Sequence, residues 1–512
     1  MPSDKHKPVL ERIFAMIGLA LLFGIIYAQS PLYTSNQNQY FLHGMAAAGF
    51  GNLAQDWLAN TLDPTPVFSQ LIRITNQIPL SELIFYTYYI ILMGIYLLSI
   101  IGIARNLFNL QGRVALVIFV TMIIAVHSAA FRFLLSRGIG EEWTFVFEGG
   151  IAGQRVLGVV FQPSTFGVLL VLSLYLFLKD RLLLALVAAV VATYFHPTYL
   201  LSAGILVSAY IGTIILLDRD IRKAAYVGFT ALLLVSPVLI YVSRSFAISN
   251  QAAQEAQTIL VQFRIPHHAI VAEWFDITTI VQLSFIFVSV WLVRKTRLFP
   301  VLIISTIAAL GLTVLQMITG SNSLALIFPW RISVILVPLS VVIILAVLVQ
   351  EISRRNTPFL EKNSKLITIL CSLALGLMAF AGLLRFGIEY VEKDRVIEQA
   401  MYQFVRDMQT EGDNYLVPIK LQDFRLETGA AIYVDFKSIP YLNAEVLEWR
   451  RRIQLATEFY EDDEFNCPLL ETLRQEGVSR VLLENDDRTL DCPGAQEIYH
   501  DAKYQIYQLN NP

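Results

Sequence analysis

Three cysteines in 512 residues, a charged fraction of 15% and no dense basic run set the first limits on this chain. So few thiols exclude a disulfide-built scaffold. Charge is too sparse for the surface of an ordinary soluble protein, and a net charge of −3 without a basic stretch gives no footing for nucleic acid. Catalytic signatures are missing too: there is no Walker loop, no GxGxxG after a strand, no HExxH and no GxSxG. No Asn-x-Ser/Thr sequon occurs, which fits a bacterial chain. What remains in abundance is apolar sequence, 55% of residues, with a mean hydropathy of +0.57.

That apolar content is organised in runs. Spans are expected near 13–30, 81–104, 114–134, 158–178, 182–196, 198–217, 224–243, 277–293, 299–319, 332–350 and 366–386, since crossing a bilayer takes roughly 17–25 apolar residues. The first, Ile13 to Tyr27, lacks a small-residue cleavage site and reads as a retained signal anchor. Lys5, Lys7 and Arg12, then Arg105 and Arg113, Lys179 and Arg181, Arg219 to Lys223, Arg294 to Arg297, and Arg354 to Lys365 give one side 17 basic residues. The other side holds seven: Arg73, Arg132, Arg137, Arg155, Arg244, Arg264 and Arg331. Basic residues stay in the cytoplasm, so the N-terminus is expected there, and an odd span count sends the C-terminal end outside. One point decides the parity. His196-Pro197 divides the apolar stretch 182–217, and proline disfavours helix at the residue before it, which predicts two short helices. One long kinked helix would place the C-terminal domain inside.

The expected fold is mainly α: a polytopic transmembrane bundle over 1–388 with a long first external loop (31–80), followed by a small α/β domain over 389–512. Within that domain Tyr415–Ile419, Ala431–Phe436, Val478–Glu484 and Tyr504–Leu509 read as strands, and Val396–Met408, Ala444–Phe459 and Pro468–Glu476 as helices. Cys467 and Cys492 are its only cysteines. Outside the cytoplasm they can close a loop of about 25 residues, stabilising by roughly 3 kcal/mol; the alternative is two unrelated thiols. They lack metal-ligand spacing, and no metal ligands are assigned.

Candidate chemistry gathers on the external side. In the loop 31–80, Phe41, Met45, Ala48, Leu53 and Trp57 suggest short amphipathic helices lying on the membrane. Asp56 stands in an otherwise uncharged stretch. Asp63 opens Asp-Pro-Thr-Pro, a turn or helix-start signal, and is the loop's second candidate for substrate binding. His196 is a polar group at a helix break, either facing an aqueous cavity or capping the kink. Arg155 follows Gly149, Gly150 and Gly153, with Glu141, Glu142 and Glu148 before it, so this segment reads as a mobile lid. Arg331 at a span's outer end suits a phosphate through forked hydrogen bonds, or snorkels as an anchor. His267-His268 with Glu273 makes a poor metal cluster, because adjacent side chains diverge.

This layout resembles the GT-C superfamily of membrane glycosyltransferases, the correspondence falling on Asp56 in Ala54-Gln55-Asp56-Trp57, on the broken pair around His196 and on the closing strands. More narrowly, NQNQYFLHG, QDWLANTLDPTPVFS, FHPTY and LQDFRLETGAAIYVDFKSIPY are similar to a group of bacterial membrane proteins without an assigned reaction. The resemblance implies transfer of a sugar from a polyprenyl-phosphate donor to a glycan, lipid or protein acceptor on the external face. Asp56 would be the general base; Asp63, Arg155, His196 and Arg331 would bind substrate. It leaves room for a divalent cation as cofactor, although the superfamily's paired acidic motif is reduced here to Gln55-Asp56. Membrane lipids are the other expected partners. The competing class is non-catalytic: a transporter, flippase or envelope-glycan assembly protein using the same cavity. Obvious internal repeats, which would favour a transporter of inverted halves, are lacking.

Overall fold

The computed structural model describes residues 9–108, 110, 112–245, 251–461, 465–485 and 490–510; Lys5 and Lys7 lie outside them. Among the described residues, seven helices are long and apolar enough to cross a bilayer: Leu10–Tyr27, Ser81–Leu107, Pro197–Asp218, Ile221–Ser245, Leu298–Thr319, Asn322–Arg355 and Ser364–Asp394. Arg113–Val126 and Ala129–Gly138 form a further pair bent by 54°, and Pro163–Leu178, Leu182–Phe195 and Ile277–Leu292 are shorter apolar helices. Each of the eleven expected spans falls on one of these. The protein is a multi-pass membrane protein built on a helical bundle. The bend has a local cause: Ser128 caps the second helix by accepting from Phe131 N, and His127 Nε2 turns to Tyr96 Oη at 3.0 Å.

The chain forms two compact units. One comprises Met1–Gln29, Phe85–Tyr241 and Val261–Gly387; the other comprises Ser30–Ile84, Val242–Leu260 and Ile388–Pro512. The expected division at 388 assigned the first loop to the bundle, whereas here that loop packs within the second unit.

Inside the bundle, ion pairs resolve the break at His196-Pro197. Lys223 Nζ lies 2.9 Å from Asp180 and 3.6 Å from Asp218, and Arg297 grips Asp218 at 2.7 Å. A continuous helix over 182–213 would hold its ends about 47 Å apart at 1.5 Å per residue. One lysine touches both flanks instead, so the chain turns back at His196, whose backbone is extended (φ −145°, ψ 95°). Leu182–Phe195 and Leu200–Thr213 are therefore two antiparallel helices, and the loops at 180, 218–223 and 297 share one end of the bundle.

The second unit is built on a five-stranded sheet: β1 Asn414–Leu416, β2 Ala431–Ile432, β3 Arg480–Glu484, β4 Ala495–His500 and β5 Tyr504–Leu509, in the order β2-β1-β3-β5-β4. β1 runs parallel to β2 and β3, while β5 pairs antiparallel with β3 and β4. Its core packs Tyr415, Val417, Leu482 and Ile506 against Met401, Tyr402 and Val405 of the helix Gln399–Met408. The first loop closes onto this unit. Phe41, Met45 and Leu53 are fully buried in it, so they do not form the membrane-lying face expected of them. The loop's exposed large apolar residues are instead Val67 and Ile74, two turns apart on the helix Pro66–Asn76, and Ile78 and Leu80 beyond it.

Candidate functional site

In the bundle, a turn at Ile151–Gly153 organises the polar groups. Ala152 and Gly153 adopt φ of 59° and 64°. Ile151 N donates to Ser333 Oγ at 2.8 Å, and a Cβ on Gly150 would meet that oxygen at 2.6 Å, so only glycine permits the approach. His268 Nδ1 lies 2.6 Å from the Ala152 carbonyl. Just upstream, Arg132 is 1% exposed and donates to the carbonyls of His127 (2.8 Å) and Tyr27 and to Glu148 (3.2 Å). Burial raises Glu148 to about 7, against the pull of Arg132 and Arg155.

Arg155 is the unusual member. It is exposed, has no ion-pair partner among the described residues, and stacks on the Phe145 ring at 3.9 Å. Yet desolvation by surrounding protein lowers its pKa, with Tyr27 and Glu148 opposing. Arg331 belongs to the same unit: its guanidinium lies 3.2 Å from His196 Nε2 and sits over the Phe328 and Tyr199 rings. Guanidinium can only donate, so His196 accepts through an unprotonated Nε2. The turn Ile151–Gly153 packs against both the helix Pro266–Ala269 and the turn Pro329–Ile332. Burial first, then His267, Arg331 and Arg155, push His268 down to about 4 despite its bond to Ala152, so the ring is neutral. Contrary to expectation, the His267 and His268 rings do not diverge; their centroids are 4.1 Å apart. Among the described residues, no three His, Cys, Asp or Glu groups stand together to hold a metal ion, so no residues fit the divalent cation that the resemblance left room for.

Asp56 and Asp63 lie in the other unit. Asp56 is fully buried, and four donors use its lone pairs: Leu58 N (2.9 Å) and Ala59 N (3.3 Å) on one oxygen, Arg425 Nε (2.8 Å) and Ile432 N (3.0 Å) on the other. Arg425 also grips buried Asp435. With both oxygens engaged by donors, Asp56 is placed as a carboxylate that ties its loop to Arg425 and Ile432, whereas a general base needs a lone pair facing the acceptor. Asp63 accepts from Thr65 N at 2.8 Å, a turn that starts the helix Pro66–Asn76. Neighbouring polar residues tie the same surfaces: Asn38 to Asp423, Gln39 to Tyr441 (2.8 Å), Gln55 to Gly412 N (2.7 Å). The Cys467 and Cys492 sulfurs lie 2.03 Å apart, their Cα atoms 5.5 Å apart.

A family model for a domain of unknown function, DUF6798, matches residues 397–456. No curated protein matches the chain. In three dimensions the chain is similar to ArnT from Cupriavidus metallidurans bound to undecaprenyl phosphate, with 12% identity, a TM-score of 0.51, and coverage of 99% of this chain and 100% of that one. The bundle has the GT-C fold. The same enzyme in the apo state aligns at 11% identity and TM-score 0.49, over 98% and 99% of the two chains. Arabinosyltransferase EmbB from Mycobacterium smegmatis aligns at 12% and 0.36, over 98% of this chain and 46% of that one.

The structure thus brings together His196 and Arg331, sets Arg155 two residues past the turn that packs against Arg331's, and leaves Asp56 and Asp63 in the second unit. Arg132, His268, Arg425 and Asp435 were missed as a group. A signal existed for three of them: Arg132 is a lone charge in Ala-Ala-Phe-Arg-Phe-Leu-Leu, and Arg425 and Asp435 both lie within LQDFRLETGAAIYVDFKSIPY.

Proposed function

We propose that the protein is a membrane glycosyltransferase that moves a sugar from a polyprenyl-phosphate carrier to a glycan, lipid or protein acceptor at the external face of the bacterial inner membrane. The observation that carries this reading is a pair of arginines on neighbouring turns: Arg155, exposed and stacked on Phe145, lies two residues past the turn Ile151–Gly153, which packs against the turn that bears Arg331. Two arginines beside neutral histidines attract an anion, and forked guanidinium donors suit phosphate. The fold likeness to ArnT bound to undecaprenyl phosphate supports a polyprenyl phosphate as that anion. In this reading the lipid tail lies between spans, the N-terminus is cytoplasmic and residues 389–512 are periplasmic. Arg155 and Arg331 stabilise the charge that develops on the departing phosphate. Asp63 shapes its loop, and Asp56 holds the second unit together.

The occupied state of Asp56 favours one second reading, a non-catalytic flippase or glycan-assembly protein that binds the same carrier. Purified protein in detergent, given lipid-linked sugars extracted from a producing strain, separates the two: turnover supports transfer, and retention of the intact lipid-linked sugar supports the alternative. Arg155→Gln is expected to weaken lipid-phosphate binding by at least ~10-fold, the value of one charge-assisted contact of about 1.4 kcal/mol. Parental affinity in that variant would remove the anion site on which both readings stand.

A further inference from the structure

With Asp56 saturated, the proposed transfer lacks a proton acceptor, and the bundle offers one. We propose that His268 is that group, its Nε2 taking the proton of the acceptor hydroxyl beside the phosphate site; this rests on the transferase reading. A carbonyl can only accept, so the 2.6 Å contact with Ala152 fixes the hydrogen on Nδ1 and leaves Nε2 with a bare lone pair. Among the described residues Nε2 makes no hydrogen bond, and the ring is half-buried rather than sealed. Gly153 lies against the ring, a Cβ there falling at an ordinary contact distance of 3.5 Å from His268 Cε1. Arg155 follows two residues after this turn.

The charged and titratable groups around the ring are Arg155 just past the turn, Arg331 from Pro329–Ile332 and the adjacent His267, while Glu273 on Val271–Trp274 is exposed. Burial first, and then all three neighbours, disfavour imidazolium and hold His268 neutral. An anion bound by the arginines cancels their share of that field. Proton affinity at Nε2 therefore rises when the donor is seated, and the base strengthens only in the loaded site. In the step itself, the bond from the acceptor oxygen to the sugar's anomeric carbon forms and the bond from that carbon to the phosphate oxygen breaks. The hydroxyl proton moves to Nε2, and the lipid phosphate leaves as an anion held by Arg155 and Arg331. Imidazolium then returns its proton to water.

His268→Asn tests this on the full chain in detergent. Its side-chain amide keeps a donor for Ala152 O while removing Nε2. Binding of farnesyl phosphate is expected to stay within ~2-fold of the parent, whereas kcat for transfer from extracted lipid-linked sugar falls at least ~100-fold. Added imidazole is expected to restore part of the rate, and the acid limb of the parental pH profile to disappear. Transfer at the parental rate in His268→Asn overturns this assignment and leaves the transferase reading intact. A loss of turnover matched by lost farnesyl phosphate binding, with no rescue by imidazole, makes His268 a positioning group and also overturns it. Failure of the parent to bind or transfer brings down both.

Discussion

The triad Asp56–Arg425–Asp435 makes Asp56→Asn a decisive substitution. The asparagine oxygen can keep the bonds from Leu58 N and Ala59 N. Its amide then faces Arg425 Nε and Ile432 N, so two buried donors lose their acceptor. At about 1–3 kcal/mol for each stranded donor the gross loss is about 2–6 kcal/mol. An offset applies: the triad sets two carboxylates against one guanidinium, and the variant leaves a balanced Arg425–Asp435 pair. A net cost of about 3 kcal/mol follows, which lowers the melting point of a domain this size by about 6–12 °C. Arg425→Leu should cost more, because it leaves two buried carboxylates facing each other without a cation. Heat-dependent tryptic cleavage within residues 389–512 of the full chain in detergent reads both. If Asp56→Asn resists heat like the parent while transfer falls ~100-fold, Asp56 is the base and the structural reasoning is refuted.

Intact-mass analysis with alkylation, without reductant, should find Cys467 and Cys492 protected and only Cys371 reactive; two more alkylated thiols in native extracts would rule out the bridge. A reporter active only in the periplasm should be silent when fused after Arg297 and active behind the last residue, and the reverse at the C-terminal end would overturn the proposed orientation. Burial lifts Glu148 from 4.5 to about 7, so the folded chain binds this proton more tightly than the unfolded one. Its contribution to stability is thus greatest below pH 4.5 and declines as pH rises toward 7. Glu148→Gln should flatten that decline in detergent melting curves taken between pH 5 and 7.5, and an unchanged slope would assign the titration elsewhere.

The spans were legible because a bilayer demands long apolar runs, and such runs carry their meaning without reference to any partner. The first loop was harder to read. Phe41, Met45 and Leu53 announce an apolar face, but a helical face looks the same whether lipid or protein covers it, and here protein does. β4 escaped detection because Ala-Gln-Glu-Ile-Tyr-His is an edge strand with little buried surface, which leaves no alternation to see. In the site, Arg155 and Arg331 stood out as charges beside spans. Asp56 stood out for the same reason, yet nothing nearby in sequence shows that its partner is Arg425, 369 residues away. His268 could be weighed only once Ala152 was seen to fix its tautomer.

The sequence separation of those contacts bears on how the protein is made. Asp56 meets Arg425 across 369 residues, Asn38 meets Asp423 across 385 and Gln39 meets Tyr441 across 402. At synthesis rates of about 5–20 residues per second, the loop that follows the first helix waits about 20–75 s for its partners. For that interval Phe41, Met45 and Leu53 have no finished core to enter. Until then the loop has only its own contacts, such as Phe41 on Phe68, and a ribosome stalled in the bundle leaves Asn38, Gln39 and Asp56 without these later partners.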